Sequence, residues 1–278
     1  MPLAALALPA KTAQYAAGYR NEERSVKALS YIVAIVLGAA LATSALFLVP
    51  GVKDGLSPGQ ARQVEAVLQQ YLDAHPEVVG HAIERLQERE KNAALETQRT
   101  LVKAHAAAIL HDDADPVLGN PQGDVTIVEF FDYRCPYCKR AFPTVMETVR
   151  ADGHIRLVLK EFPILGPASQ AATRAALASI KQGKYEAFHM ALLGANTPLE
   201  NNTVLDIAKS VGLDVKRLAD DMGNPEIDAA IKKNFELAAI LKIDGTPTFL
   251  IGDQLVPGAM DKATLERLVR EARGKSKS

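Results

Sequence analysis

The stretch that decides the fold of this chain is an apolar run followed by a pair of cysteines, Val125-Thr126-Ile127-Val128-Glu129-Phe130-Phe131 and Cys135-Pro136-Tyr137-Cys138. A strand, a short turn and a helix in this order place Cys135 at the N-terminus of the helix. Unpaired backbone N–H groups and the helix dipole stabilise a thiolate at that position. Because the thiolate is the species that attacks a disulfide, the pattern predicts a dithiol redox centre.

A Cys-x-x-Cys motif also occurs as half of a zinc site or as a pair of buried structural cysteines. A structural zinc ion usually has four ligands, whereas the chain has two cysteines in all, and His111, His154 and His189 stand singly. Pro136 follows the first cysteine, and its fixed φ at the first helical turn favours exposing the first sulfur and burying the second. These observations favour the redox interpretation.

The composition is that of an ordinary globular protein, with 48% apolar and 23% charged residues in a chain of 278. The formal net charge is −1, tryptophan is absent, and no basic stripe with interleaved aromatic residues stands out. Clustered Lys and Arg residues are what a nucleic-acid binder needs. We therefore expect no nucleic-acid partner, and we expect no cofactor or metal ion.

The N-terminal part of the chain predicts export across a membrane. Residues 28–49 form an uncharged run that is long enough to span the hydrocarbon core of a bilayer. The basic region before it, residues 1–27, places the N-terminus in the cytoplasm under the positive-inside rule. We expect an inner-membrane anchor and a periplasmic remainder, where disulfides persist. A small-x-small site at Ala40-Leu41-Ala42 leaves cleavage as a signal segment open.

Residues 57–110 predict a helical stalk. Ser57 and Pro58 are typical of a helix N-cap and first helical position, and a break is predicted at His75-Pro76. Apolar residues recur at helical spacing on both sides of that break, at Val64, Leu68, Tyr71, Leu72, Val79, Ile83 and Leu86. Such a stripe is buried either against the catalytic domain or against copies of the stalk. We expect the second arrangement, which makes the protein a homo-oligomer.

The catalytic domain is predicted over residues 115–273 and has an α/β pattern. The first strand and helix are followed by a second strand at 155–162 and a helical insertion at about 167–241. A β-hairpin at 248–256 and a final helix complete the order. This order builds a small α/β domain with helices on both sides of one sheet.

Two further residues of this domain stand out by their position. Glu129 lies within an apolar strand, where burial of an acid is costly and raises its pKa towards a range useful for proton exchange with the dithiol. Strand alternation leaves a solvent-facing Glu129 as the alternative. Pro247 is awkward in a central strand, so a cis peptide bond between Thr246 and Pro247 is predicted.

These motifs, together with Lys160-Glu161-Phe162-Pro163, Phe188-His189 and Gly245-Thr246-Pro247-Thr248-Phe249, resemble the DsbA family of thioredoxin-fold thiol–disulfide oxidoreductases. The resemblance covers roughly residues 115–273. It implies a thioredoxin-like fold, with Cys135 as exposed nucleophile, Cys138 as resolving thiol, Glu129 as buried acid and Pro247 as the cis-proline facing the dithiol. The residues implied to touch substrate are Pro136, Tyr137 and Thr246.

Within that family, a helical stalk joined to a Cys-Pro-Tyr-Cys domain is most similar to the suppressor-of-copper-sensitivity C-type disulfide isomerases. Tyr137 replaces the His of the strongest DsbA oxidases, and Thr246 is more typical of isomerases and reductases. The expected function is a periplasmic disulfide isomerase or reductase. Its expected partners are exported proteins with disulfides or free thiols and a membrane redox partner that reduces or oxidises the dithiol.

Three alternative functions remain open at the level of the sequence. The first is a monomeric DsbA-like disulfide oxidase, because the direction of electron flow depends on redox partners that the sequence does not name. The second is a periplasmic protein that binds Cu(I) between the soft thiolates of Cys135 and Cys138. The third is a periplasmic scaffold whose thioredoxin-like domain binds partners without catalysis.

Overall fold

The computed structural model describes residues 55–275 and divides into two compact units, the first ending at Ile83 and the second beginning at Glu84. The predicted basic region 1–27 and membrane segment 28–49 lie outside the described residues. Among the residues that the structure describes, no helix is both long and apolar enough to cross a bilayer.

Two long helices open the described chain, α1 over Pro58–Ala74 and α2 over Glu77–Ala104. The start of α1 is confirmed, because the Ser57 hydroxyl accepts a hydrogen bond from the Gln60 N–H at 3.4 Å. In return, the Gln60 side chain accepts one from the Ser57 N–H at 2.9 Å. These two bonds form a capping box that satisfies N–H groups at the helix start.

Large apolar side chains lie exposed along both helices. They are Val64, Val67, Leu68, Tyr71, Val79, Ile83, Leu86 and Leu95. In α1 the spacing of three and four residues puts its members on one face, and no residue of α1 is buried. The apolar stripe predicted on α1 is therefore present, and its role in oligomerisation stays a prediction.

The second unit is built on a five-stranded sheet. Its strands are β1 (Val117–Gly119), β2 (Val125–Phe131), β3 (Ile155–Glu161), β4 (Thr248–Ile251) and β5 (Gln254–Pro257), in the spatial order β1-β3-β2-β4-β5. The central pair β2 and β3 is parallel, and the other neighbouring pairs are antiparallel. The sequence predicted every one of these strands except β1, which lies in a segment interpreted as turn-rich.

Helices occupy the rest of this unit. They are α3 (Ala106–Leu110), α4 (Pro136–Asp152), α5 (Pro167–Ala178), α6 (Tyr185–Gly194), α7 (Asn201–Ser210), α8 (Val215–Asp221), α9 (Pro225–Ile240) and α10 (Lys262–Lys275). A 3-10 turn at Ser179–Gln182 extends α5. The helical insertion is therefore formed by α5 to α9, close to the boundaries that the sequence predicts.

Helices cover both faces of the sheet because β2 is apolar on both sides. Ile127 and Phe131 pack on one face with residues of α4, α10 and the first helices of the insertion. Val128 and Phe130 pack on the other face with residues of α3 and α9. Since side chains alternate along a strand, Glu129 lies on the same face as Ile127. That face is the one covered by α4, the helix that starts at the dithiol.

Candidate active site

The two cysteines lie where β2 has ended and α4 begins. Cys135 is the N-cap of α4 and Pro136 its first residue, while Cys138 lies in the first turn. Both are free thiols, and Cys138 has no exposed surface. Cys135 retains an exposed fraction of 4%, so the prediction of an exposed sulfur is wrong. The physical reason is the loop before β4, whose Thr246 carbonyl oxygen lies 3.1 Å from the Cys135 Sγ.

The surroundings of Cys135 favour its thiolate. Its pKa is lowered from 9.0 to about 5, first of all by a hydrogen bond from the Cys138 thiol. The side chain of Thr246 and the backbone N–H groups of Tyr137 and Cys138 act in the same direction, against the opposing effect of burial. The Thr246 carbonyl oxygen can accept a hydrogen bond only from the protonated Cys135 thiol and so favours the neutral form. The four groups that donate to the thiolate outweigh this contact. Cys135 is therefore equipped to react as a nucleophile at neutral pH.

Cys138 has the opposite acidity. Its pKa is raised because it gives its hydrogen bond to Cys135, because it is buried, and because the charge of Glu129 lies near it. A backbone hydrogen bond from Asp132 opposes this rise. Cys138 thus keeps its proton while Cys135 carries the charge, and the two sulfurs have different chemistry before any substrate arrives.

Glu129 is buried beneath the dithiol, as predicted, with an exposed fraction of 4%. Burial raises its pKa to about 8, and the charge of Cys135 adds to that rise. Among the described residues, its Oε1 has no hydrogen-bond partner. An unpartnered carboxyl costs free energy in the fold, which makes its place next to the two sulfurs a candidate for function.

The loop between α9 and β4 faces the dithiol. The peptide bond between Thr246 and Pro247 is cis, which confirms that prediction. The loop is held by a hydrogen bond from the Thr248 hydroxyl to the Gly245 carbonyl at 2.8 Å and by one from the Gly258 N–H to the Pro247 carbonyl at 2.8 Å. On the other side of Cys135, Pro136 and Tyr137 are exposed to solvent.

The profile of the DSBA-like thioredoxin domain family matches residues 126–270, which is more than half of the chain. The chain belongs to the DSBA-like thioredoxin domain family. Its α/β fold with a helical insertion is therefore the thioredoxin-like fold that the resemblance implies.

Solved structures of DSBA-like proteins agree with this assignment. A thioredoxin-like oxidoreductase from Silicibacter pomeroyi is 50% identical, with a TM-score of 0.59, over 60% of this chain and 97% of that one. A linker-deletion mutant of Proteus mirabilis ScsC is 28% identical, with a TM-score of 0.61, over 80% of this chain and 99% of that one.

A curated relative matches this chain over a part of its own length. The Na(+)/H(+) antiporter NhaA 3 of Salinispora tropica is 30% identical over 58% of this chain, and the match spans a quarter of the antiporter. The chain thus spans about a quarter of the length of the first such relatives, and the match is to part of a larger protein.

A second buried acid of the DSBA-like domain was missed by the sequence analysis as a candidate. Glu161, at the end of β3, accepts hydrogen bonds from the hydroxyls of Tyr133 (3.0 Å), Tyr185 (2.9 Å) and Thr173 (2.9 Å). The Tyr133 hydroxyl also lies 3.0 Å from Nδ1 of His189. The pKa of Glu161 is raised to about 8 by burial, although the three hydroxyls oppose that rise.

A signal for Glu161 was present in the sequence. Like Glu129, it is an acid in an apolar strand, and the same criterion applied to β3 would have selected it. His189 was noted as a single histidine, and in the structure it is fully enclosed. Burial lowers its pKa to about 3, so it is neutral and is held among aromatic rings rather than at a metal.

No metal site accompanies the dithiol in the part of the chain that the structure describes. Residues 55–275 contain no group of three or more His, Cys, Asp or Glu side chains that could hold a metal ion. A copper ion at this position would have the sulfurs of Cys135 and Cys138 as its ligands. The Cu(I) alternative stays a hypothesis that a titration of the reduced protein tests.

Proposed function

We propose that this protein is a periplasmic thiol–disulfide oxidoreductase that isomerises or reduces disulfides of exported proteins. The observation that carries the proposal is the asymmetric dithiol, in which Cys135 has a pKa of about 5 at a helix N-terminus and Cys138 keeps its proton. The family assignment supports disulfide exchange as the class of reaction. Cys135 is the nucleophile of the proposed mechanism, and Cys138 is the resolving thiol.

The proposed reaction begins with attack of the Cys135 thiolate on a substrate disulfide. A bond forms between Cys135 and one substrate sulfur, the substrate S–S bond breaks, and the other sulfur leaves with the electron pair as a thiolate. Isomerisation is complete when a different substrate thiolate attacks the mixed disulfide and releases Cys135. Reduction is complete when Cys138 attacks instead, which leaves the substrate with two more electrons and the protein with a Cys135–Cys138 disulfide.

Glu129 is proposed to take up the proton of Cys138 during that second attack. The charge of Cys135 is one cause of the high pKa of Glu129, and this charge disappears when the mixed disulfide forms. The carboxyl then becomes more acidic and is available as a carboxylate at the moment when Cys138 must lose its proton. The charge of Glu129 raises the pKa of Cys138, and this interaction supports Glu129 as the group that takes up the Cys138 proton.

Substrate binding is proposed at the two segments that border Cys135. The Thr246 and Pro247 loop offers backbone groups that an extended substrate segment can pair with. Pro136 and Tyr137 form the exposed surface on the other side of the sulfur. A membrane redox partner would use the same opening to reduce or oxidise the dithiol. Residues 28–49 are proposed to anchor the protein in the inner membrane, with the N-terminus in the cytoplasm.

The stalk is proposed to assemble the protein into a homo-oligomer. Its support is the exposed stripe of α1, in which Val67 is 67% and Leu68 is 55% exposed. Burying such side chains between copies removes apolar surface from water. Several dithiols around one shared space can hold a substrate while its disulfides are exchanged, which is what an isomerase needs.

The experiment that tests the proposal combines light scattering with reactivation of scrambled ribonuclease. We expect the reduced protein to be an oligomer that reactivates, and the Leu68→Lys/Tyr71→Lys variant to be a monomer that does not. Ala66→Lys/Gln70→Lys adds the same charge on the opposite face of α1 and should change neither result. Unchanged mass and reactivation in the stripe variant would overturn the proposed role of the stalk.

The second candidate is a monomeric disulfide oxidase. The lowered pKa of Cys135 favours it, because a stabilised thiolate makes the reduced form more stable and the disulfide more oxidising. A wild-type protein that is monomeric and only oxidises reduced substrates would select this candidate. A Cys135→Ser variant should lose exchange activity under either candidate.

A further inference from the structure

The surface that surrounds the dithiol carries cations without carboxylate partners. Arg134 and Arg140 lie on either side of the Cys135 to Cys138 motif, and both are exposed. Among residues 55–275, neither of them forms an ion pair. Other arginines of the same unit are paired, such as Arg174 with Asp228 and Arg273 with two aspartates.

Both guanidinium groups are nevertheless held in place. Arg134 donates from Nη1 to the carbonyl oxygen of Leu165 at 3.3 Å. Arg140 lies over the exposed ring of Tyr137, with 4.6 Å between its Cζ and the ring centroid. A guanidinium that is held by one carbonyl or by a ring face keeps further N–H donors free, and their planar arrangement fits a carboxylate.

The neighbouring acids do not neutralise these cations. Asp132 is fully buried, and its oxygens already accept from the Arg134 N–H (2.7 Å), the Ser169 hydroxyl (2.8 Å) and the Leu165 N–H (3.0 Å). Asp244, in the loop before Thr246, forms no ion pair with Arg134 or Arg140 in the part of the chain that the structure describes.

Two more cations belong to the same surroundings. Lys139 is half-buried and donates to the Ala195 carbonyl at 2.6 Å. Lys242 lies, like Asp244, in the loop between α9 and β4. The segments that border Cys135 therefore carry a net positive charge, although the whole chain has a formal net charge of −1.

We infer that Arg134 and Arg140 select substrate segments in which a carboxylate lies close to the cysteine that exchanges with Cys135. This inference rests on the proposed function and names its substrate class, an exported polypeptide with an acidic residue beside the disulfide. The carboxylate meets the free edge of a positioned guanidinium while the substrate sulfur approaches Cys135. Attraction between exposed charges speeds the encounter and weakens as salt is added.

The test uses three peptide disulfides of equal length, with Glu, Ser or Lys next to each cysteine. The measured quantity is the second-order rate constant for their reduction by the reduced full-length protein, at low and at high ionic strength. We expect the Glu peptide to react about 3- to 10-fold faster than the Ser peptide at low salt, since exposed ion pairs are individually weak. The Lys peptide should be the slowest, and the differences should shrink at high salt.

The Arg134→Gln/Arg140→Gln variant should bring the Glu-to-Ser ratio close to 1. Taking the ratio cancels any change in the reactivity of the Cys135 thiolate itself. Lys216→Gln, which removes the same kind of charge from an exposed position of α8, should leave the ratio as in the wild type. Equal rates for Glu and Ser peptides in the wild type overturn the inference and leave the proposed function standing. Failure to reduce any of the three peptides overturns the proposed function instead.

Discussion

Two buried carboxyl groups on neighbouring strands have the same acidity in opposite surroundings. The pKa values of Glu129 and Glu161 are both raised to about 8, and in both cases burial is the largest cause. Glu161 is surrounded by three hydroxyl donors, whereas Oε1 of Glu129 has none in the described part of the chain. The two carboxyl groups therefore have the same raised pKa, although Glu161 is fully hydrogen-bonded and Oε1 of Glu129 is not.

This difference in hydrogen bonding indicates a structural role for Glu161 and a chemical role for Glu129. Glu161 joins Tyr133, in the turn before the dithiol, to α5 and α6 through Thr173 and Tyr185. Glu129 makes no such connection, and its second largest influence is the charge of Cys135. A group that costs stability and responds to a reacting sulfur fits a role in catalysis, while a fully bonded group fits a role in holding the turn.

The largest expected effect comes from replacing Glu161 with leucine. Glu161→Leu leaves the hydroxyls of Tyr185 and Thr173 without their acceptor, while the Tyr133 hydroxyl keeps Nδ1 of His189 at 3.0 Å. Each buried polar group that loses its partner costs about 1–3 kcal/mol, so we expect a loss of about 4 kcal/mol in the free energy of unfolding. Urea unfolding at pH 4 measures it, because the raised pKa of Glu161 costs almost no stability below pH 4.5. Glu161→Gln keeps an acceptor oxygen and should lose much less, and equal losses in the two variants would contradict the bonding argument.

The same substitution at Glu129 should have the opposite sign. The pKa of Glu129 is about 8 in the folded protein, whereas the ordinary value of a glutamate side chain in water is 4.5. Its stabilising contribution is therefore present below pH 4.5 and is lost as the pH rises through 8. At pH 7 this difference corresponds to a cost of about 3 kcal/mol, which leucine removes.

We therefore expect Glu129→Leu to unfold at higher urea concentration than the wild type, with a gain that grows between pH 5 and pH 8. The rate at which Cys138 attacks the mixed disulfide and completes the reduction should fall about 100-fold, at the low end of what general acid–base catalysis contributes. A Glu129→Leu variant that is destabilised like Glu161→Leu would break the distinction between the two acids.

Sequence patterns predicted those parts of the molecule that depend on residues close in the chain. The bounds of β2, the start of α4 at the dithiol, the burial of Glu129 and the cis bond before Pro247 each follow from a few neighbouring residues. The strand β1 was missed because its three residues gain their pairing from β3, about forty positions later, and carry no strand pattern of their own.

The contacts that decide the chemistry join residues that are far apart in the sequence. Tyr133 and His189 are 56 residues apart, and Cys135 is 111 residues from the Thr246 carbonyl that covers it. Periodicity and motif spacing contain no information on such pairs, because they are formed by the packing of complete elements. For this reason the predicted exposure of Cys135 was wrong, while its place at the helix N-terminus was right.

A smaller effect is expected at the contact between Thr246 and Cys135. The absorbance of the reduced protein at 240 nm should show a thiolate titration with a midpoint near pH 5. Thr246→Val removes the hydroxyl that helps to lower the pKa of Cys135. The midpoint should rise by about 1 pH unit, because the free energy of one hydrogen bond to a charged group corresponds to a pKa change of that size.

The sign of the accompanying stability change is fixed by the lowered pKa. Since the folded-state pKa of Cys135 lies below the unfolded value of 9.0, the thiolate contributes stability above pH 9, and this contribution is lost as the pH falls through about 5. The stability of the reduced protein relative to the oxidised protein should therefore decrease between pH 9 and pH 5. A midpoint for Thr246→Val equal to that of the wild type would remove Thr246 from the set of residues that tune Cys135.

The smallest expected effect separates the two acids without any substitution. Formation of the Cys135–Cys138 disulfide removes the thiolate charge that contributes to the raised pKa of Glu129, so this pKa should fall on oxidation. The charge of Cys135 is not among the causes of the raised pKa of Glu161, which should stay nearly constant. Carboxyl carbon shifts of the two residues, followed by NMR against pH in both redox states, measure the two pKa values. Equal falls at both positions would mean that oxidation changes the burial of the whole region, and the link between Glu129 and the dithiol charge would then be lost.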